Sequence, residues 1–243
     1  MMEDSSRPEM KKIQQLIDTF DYEQAAILLK EILKVEPNNV EVLDTLSEVL
    51  MNLDNTKEAI NVIKRSIELD PDNNPEKYMT LGQLSEYKMS LTCYKKGIEL
   101  FMKEVNTTTD NDKLASLNNS IASAYASIAE LYMNSDLCFE PDAETVCENV
   151  LNEGFKHNPE SFDVLLQLSN LRILRRRDNE ALQYMEKIYN AIIKLVESGS
   201  DDLPSEDILS NLGKNYSELE QFGKAIKIYD ILIKINDQDV IFF

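Results

Sequence analysis

The chain has 243 residues, 43% hydrophobic and 28% charged, with only 6 glycines and 7 prolines; this composition excludes a disordered chain and suits an ordered, mostly helical one. Forty-four acidic residues oppose 25 basic ones, a formal net charge of −19, so the mean field repels phosphate backbones and anionic membranes and favours a basic protein partner. No apolar run approaches 18 residues, nothing resembles a signal peptide, and Cys93, Cys138 and Cys147 lack the spacing of a disulfide framework. The expectation is a reduced, soluble, intracellular protein.

Pro37 and Pro71 are 34 residues apart, as are Ala25 and Ala59. That period belongs to the tetratricopeptide helical hairpin, in which small residues let helices A and B cross closely and large ones fill the groove between hairpins. The expected fold is all-α, a right-handed tetratricopeptide-repeat solenoid forming a single array over 1–243, with six hairpins at 9–37, 40–71, 75–102, 112–158, 161–197 and 205–236.

The first hairpin shows its pattern in helix B (Tyr22, Ala25, Leu29, Ile32, Pro37), and its helix A is degenerate. The second carries Leu43, Leu46, Ser47 and Leu50, then Ala59, Ile63, Ser66 and Pro71. The third opens at Tyr78, Leu81 and Gly82 but reaches Ser90, Tyr94 and Gly97 about four residues early, so its helix A is short by about a turn. The fourth is stretched: a long helix from about Asp112 to Met133, an irregular stretch from Asn134 to Glu140, and a helix opening with Pro141 at its first position. The fifth returns to pattern with Leu165, Leu168, Ser169, Ala181, Met185 and Ile188. After Ser198–Ser205, the one stretch of linker composition, the sixth carries Leu209, Leu212, Gly213, Tyr216, Phe222, Ala225, Tyr229 and Leu232. Val240–Phe243 either tuck back onto the last hairpin or are covered by a partner.

Catalytic and metal-binding motifs are lacking. The single histidine, His157, stands at a helix end, where the dipole favours a cation. Cys138, Cys147 and His157 have no chelate spacing, and Cys147 falls at a helix-crossing position, as an inert packed thiol would. Without GxGxxG, GxxxxGK[ST] or HExxH the chain reads as no enzyme, with no cofactor, no metal and no small-molecule substrate. Arg175-Arg176-Arg177 ends a helix A, where cations suit the dipole; the alternative is a docking point for an acidic segment.

Groove-facing positions of helix A are more telling: Glu41, Asp44 and Glu48 in the second hairpin, Glu76 and Gln83 in the third, Glu130 in the fourth, and Asp163, Gln167 and Asn170 in the fifth. Co-chaperones of this fold that hold acidic chaperone tails use Lys and Asn where this chain has Asp44 and Glu48. An acidic concave groove instead suits a Lys/Arg-rich ligand.

Asp136-Leu137-Cys138-Phe139-Glu140-Pro141-Asp142-Ala143-Glu144, with Cys147-Glu148, the hairpin from Asn158 through Leu171-Arg172, Glu76-Lys77-Tyr78 and Leu81-Gly82-Gln83-Leu84-Ser85, resembles the dedicated assembly chaperones of large-subunit ribosomal protein L four. The resemblance covers roughly residues 20 to 235. It implies a non-enzymatic holding chaperone of the cytoplasm and nucleus, whose acidic groove shields a basic internal loop of the new ribosomal protein until handover to the pre-ribosome, without direct contact to nucleic acid or membrane. The chain departs from some members in ending soon after the sixth hairpin, without a long acidic extension. The runner-up reading is a generic tetratricopeptide scaffold in an unrelated complex.

Overall fold

The computed structural model describes residues 8–200 and 202–239, with side chains to 235. Twelve α-helices and one short 3-10 turn, and no strand, are found among them. The helices pair as six hairpins: α1 (Pro8–Asp18) with α2 (Tyr22–Val35), α3 (Val40–Asn52) with α4 (Thr56–Leu69), α5 (Glu76–Gln83) with α6 (Tyr87–Thr107), α7 (Asn111–Asn134) with α8 (Ala143–His157), α9 (Phe162–Leu174) with α10 (Asp178–Ser198), and α11 (Glu206–Glu218) with α12 (Phe222–Asp239). The chain divides into two compact units, Met1–Leu100 and Phe101–Phe243. Val240–Phe243 lie outside the described residues.

Local chemistry sets the boundaries. Side chains of Asp21, Asn39, Ser161 and Ser205 accept the backbone N–H three residues ahead, satisfying one of the orphan donors at the starts of α2, α3, α9 and α11. Four of the A-to-B turns are one device. In the α9–α10 turn Arg176 N–H donates to Ile173 C=O and Arg177 N–H to Arg172 C=O, and the same pair of bonds recurs with Phe20 and Asp21, Asp54 and Asn55, and Glu220 and Gln221. This is the Schellman closure, and it puts Phe20, Asp54, Arg176 and Glu220 at φ between 55 and 60° with no glycine among them.

In the first unit Ile13, Ala25, Leu29, Leu46, Leu50 and Ala59 share a dry core, and Ile63, Leu81 and Cys93 form another. Ala25 and Ala59 are fully buried, so the 34-residue repeat marks the helix-crossing points, where a larger side chain would force the helices apart. Short α5 confirms the lost turn of the third hairpin. A Cβ on its Gly82 would lie 2.7 Å from the Tyr94 ring.

The second unit has a core of Ala122, Ala126, Ala129, Cys147 and Leu151 and another of Ala181, Met185, Ile188, Leu209, Leu212 and Tyr216. Gly213 repeats the close contact of Gly82: its Cβ would meet the Tyr229 ring at 2.7 Å. Between α7 and α8 the chain makes a 3-10 turn, Asp136–Phe139, pinned by buried Leu137. The Ala143 N–H then bonds to Glu140 C=O, so α8 begins at Ala143 and Pro141 lies in the preceding turn, not at the first helical position. Gly199, at φ 66°, closes α10. On α12, Phe222, Ile226 and Ile233 stay exposed.

Candidate functional site

The helix-A positions singled out in the sequence form a carboxylate group in each unit. In the first, Glu41 and Glu48 on α3 and Glu76 in the first turn of α5 are exposed. Partial desolvation raises the Glu48 carboxyl above its ordinary value, and repulsion from Asp44 and then Glu76 raises it further. In the second, the same causes act on exposed Glu130 of α7: desolvation first, then the charges of Asp163 on α9 and Asp207 on α11. Charges that repel one another so measurably are an electrostatic site lacking its counter-charge.

Not every predicted residue is available. Asp44 is half-buried and spends both oxygens inside the fold, accepting from the Ser66 hydroxyl and, at 2.7 Å, from Asn74 Nδ2. Beneath it lies buried Lys77, whose ammonium donates to the Asp70 carbonyl and stands 3.5 Å from Ser66 Oγ. Asp163 likewise accepts from the Ser123 hydroxyl, tying α9 to α7. Gln83 is exposed at the end of α5. Gln167 and Asn170 enter a run of amides: Asn215 Nδ2 donates to Asn170 Oδ1 at 2.6 Å, and Asn170 Nδ2 to Gln167 Oε1 at 3.0 Å. Sequence reasoning missed Asp207 and Asn211, yet the signal was present. Asp163 and Asp207 each stand two residues after a capping serine, and Gln167 and Asn211 each six after.

The arginine run is consumed by the protein itself. Arg172, buried in α9, forks onto Glu148 at 2.7 and 3.2 Å and reaches Glu180 at 3.1 Å. Arg175 joins Glu148 and lies 2.8 Å from Glu144, while Arg177 pairs with Glu180 at 3.1 Å. Arg172 holds the Glu148 carboxyl below the ordinary carboxylate range against its own desolvation, and Arg175 helps. This network clamps α8 to α9, which leaves little of the run for an acidic partner.

His157 is not a helix-end cation. It stacks on Tyr125 at a centroid distance of 6.2 Å with Nδ1 2.8 Å from Asn118 Oδ1, and burial lowers its pKa, so the ring is neutral at neutral pH. Cys147 is packed with its thiol 3.5 Å from the Ala129 carbonyl and pushed up to about 11 by burial, whereas Cys138 is exposed. Among the described residues no group of three or more His, Cys, Asp or Glu side chains is placed to hold a metal, and no helix is long and apolar enough to cross a membrane.

The tetratricopeptide repeat family matches residues 16–84 and 206–239. A protein of Schizosaccharomyces pombe named probable assembly chaperone of rpl4 is 28% identical over 236 residues, which cover 95% of this chain and 69% of that one. The chain is a tetratricopeptide-repeat relative of the rpl4 assembly chaperones. A protein of the same name from Emericella nidulans is 24% identical over 98% of this chain, which spans 63% of that relative's length. The fold is similar to a solved structure described as Assembly Chaperone of RpL4 (Acl4) (Residues 1-338), with a TM-score of 0.82, 21% identity and coverage of 95% of this chain and 90% of that one. Two segments that carry the resemblance, Asp136–Glu148 and Asn158–Arg172, meet in the structure through the Glu148–Arg172 fork.

Proposed function

We propose that this protein is a non-enzymatic holding chaperone. It binds a basic segment of a newly made ribosomal protein on the acidic helix-A faces of its hairpins, which act as one array, and carries it through the cytoplasm and nucleus to pre-ribosomes. The observation that carries the reading is likeness to proteins named for assembling rpl4 over 95% of the chain. The carboxylates support it physically: Glu41, Glu48 and Glu76 in one unit and Glu130, Asp163 and Asp207 in the other stand where a Lys/Arg-rich segment would relieve their mutual repulsion. A free basic segment would bind RNA indiscriminately, and covering it with fixed carboxylates prevents that.

Co-expression with the host's large-subunit ribosomal protein L four tests the proposal. The two proteins should copurify at low salt, and their affinity should fall steeply as salt rises, because partly exposed ion pairs are screened over a Debye length of about 8 Å at physiological ionic strength. Failure to copurify, or an affinity indifferent to salt, refutes it.

A further inference from the structure

The second unit contains a groove of another character beside its carboxylates. Its volume is about 320 Å³, and Asn134 of α7, Asn170 of α9 and Asn211 and Asn215 of α11 line it, with Met133, Ile173 and Leu174 as an apolar floor. Leu174 is 64% exposed there, unusual for a large aliphatic side chain at the end of a packed helix. Where the first unit presents Glu48, nine residues after its capping residue Asn39, α9 presents Asn170 nine residues after Ser161. Carboxylates have given way to amides.

A carboxylate only accepts hydrogen bonds, whereas a primary amide carries two donors and an acceptor and so matches a peptide group edge to edge. Asn170 and Asn215 are preset by the chain of bonds that runs from Asn215 through Asn170 to Gln167, which fixes their rotamers. That chain uses one donor of Asn170 and leaves the second for a ligand. Asn211 and Asn215 lie four residues apart, one turn of α11, so they project from the same face. The carboxylates Glu130, Asp163 and Asp207 are contributed by the same three helices. Next to this acidic group the amides supply what it lacks, recognition of backbone in place of charge.

Resting on the reading of the chain as a holder of basic segments, we infer that this amide-lined groove grips the main chain of the client in an extended conformation. Asn170, Asn211 and Asn215 bond to its peptide groups, and an apolar side chain of the client sits on Met133, Ile173 and Leu174. An extended strand turns successive side chains to opposite faces. One face therefore meets the apolar floor while Lys and Arg on the other reach the carboxylates. Main-chain recognition is indifferent to sequence, so this groove sets the client's conformation and the carboxylates set its charge.

The test uses a fluorescent, C-terminally amidated peptide of six Lys-Val repeats and the same peptide N-methylated at every valine, which keeps the charge and removes half the backbone donors. The full chain should bind the parent about tenfold more tightly than the methylated peptide, the worth of one or two hydrogen bonds. In Asn170→Ala/Asn211→Ala/Asn215→Ala that ratio should fall towards one. Asn211→Ala alone, at an exposed position, should show part of the same fall if the triple variant melts early. Equal binding of the two peptides by the unaltered chain, with binding still lost in Glu130→Lys/Asp207→Lys, overturns the main-chain grip and leaves the acidic reading standing. Tighter binding of a free-carboxylate version of the parent would mean that Lys214 and the asparagines capture a chain terminus, which also overturns it. If neither peptide binds the unaltered chain, the basic-client reading falls and the grip with it.

Discussion

Reversing Asp44 and reversing its acidic neighbours should have opposite consequences. Asp44→Lys removes the acceptor for Ser66, which is fully buried, and for Asn74, and places a second ammonium near Lys77, which is 4% exposed. Two bonds to a charged acceptor contribute about 1.5–3 kcal/mol each, and discounting for the half-exposed carboxylate leaves a loss of about 3 kcal/mol. The melting temperature should drop by about 6–12 °C. In Glu41→Lys/Glu48→Lys/Glu76→Lys, by contrast, each reversal is at an exposed position. Two of them lose a favourable first-turn charge and the third relieves repulsion at Glu48, so the sum is about 1 kcal/mol or less. Thermal melts followed by circular dichroism, with binding of the basic client measured by fluorescence anisotropy, separate the two. The triple variant should keep its fold and lose most of its binding. A control of equal charge change on the B helices, Glu23→Lys/Glu31→Lys/Glu68→Lys, should keep more. An Asp44→Lys variant as stable as the unaltered chain would refute the hydrogen-bond argument, and equal loss from both triple variants would mean that net charge alone retains the client.

Gly213→Ala places a methyl 2.7 Å from the Tyr229 ring, and the forced repacking should cost about 1–3 kcal/mol in a denaturant titration, whereas Gly223→Ala, which meets nothing, should be neutral or better. In native protein a maleimide at pH 7.5 should label Cys138 in minutes and spare buried Cys93 and Cys147, with full labelling only after unfolding. Because the folded pKa of His157 lies below 6.5, its contribution to stability is present above that pH and lost as pH falls; Glu148, also depressed, adds a second loss below 4.5. Melts from pH 7.5 to 4 should show both declines, and His157→Asn should flatten the first. Glu48 and Glu130, with raised pKa values, should take up protons first on acidification, so client affinity should begin to weaken above pH 4.5.

Hairpins were legible because their determinants are local. Ala25 and Ala59 mark the helix crossings, Gly82 and Gly213 the close ring contacts, and capping residues the starts, all by fixed offset in the sequence. Pro141 misled because a proline suits both a first helical turn and the tight turn before it, and here the bond from Ala143 to Glu140 decides for the turn. His157 misled because exposure at a helix end was assumed, and Tyr125, 32 residues earlier, covers it. The acidic face was legible as a set of positions but not in its division of labour. Whether a carboxylate is free or holds Ser66 and Asn74 depends on residues 22 and 30 positions away.

The repeated A-to-B turn has a consequence for variation. Phenylalanine, aspartate, arginine and glutamate occupy its left-handed position in turn, and Phe20 is 78% exposed there. Since the closure is made entirely by main-chain bonds to the preceding helix, the side chain carried at that position is nearly free of structural duty. Glycine there would relieve about 1 kcal/mol of backbone strain and give part of it back as unfolded-chain entropy, so neither choice is strongly selected on stability. These turns are therefore permissive sites in the architecture: places where lineages can drift, where a fluorophore or affinity handle can be attached without touching a core, and where new surface chemistry can be tried while the hairpins beneath stay as they are.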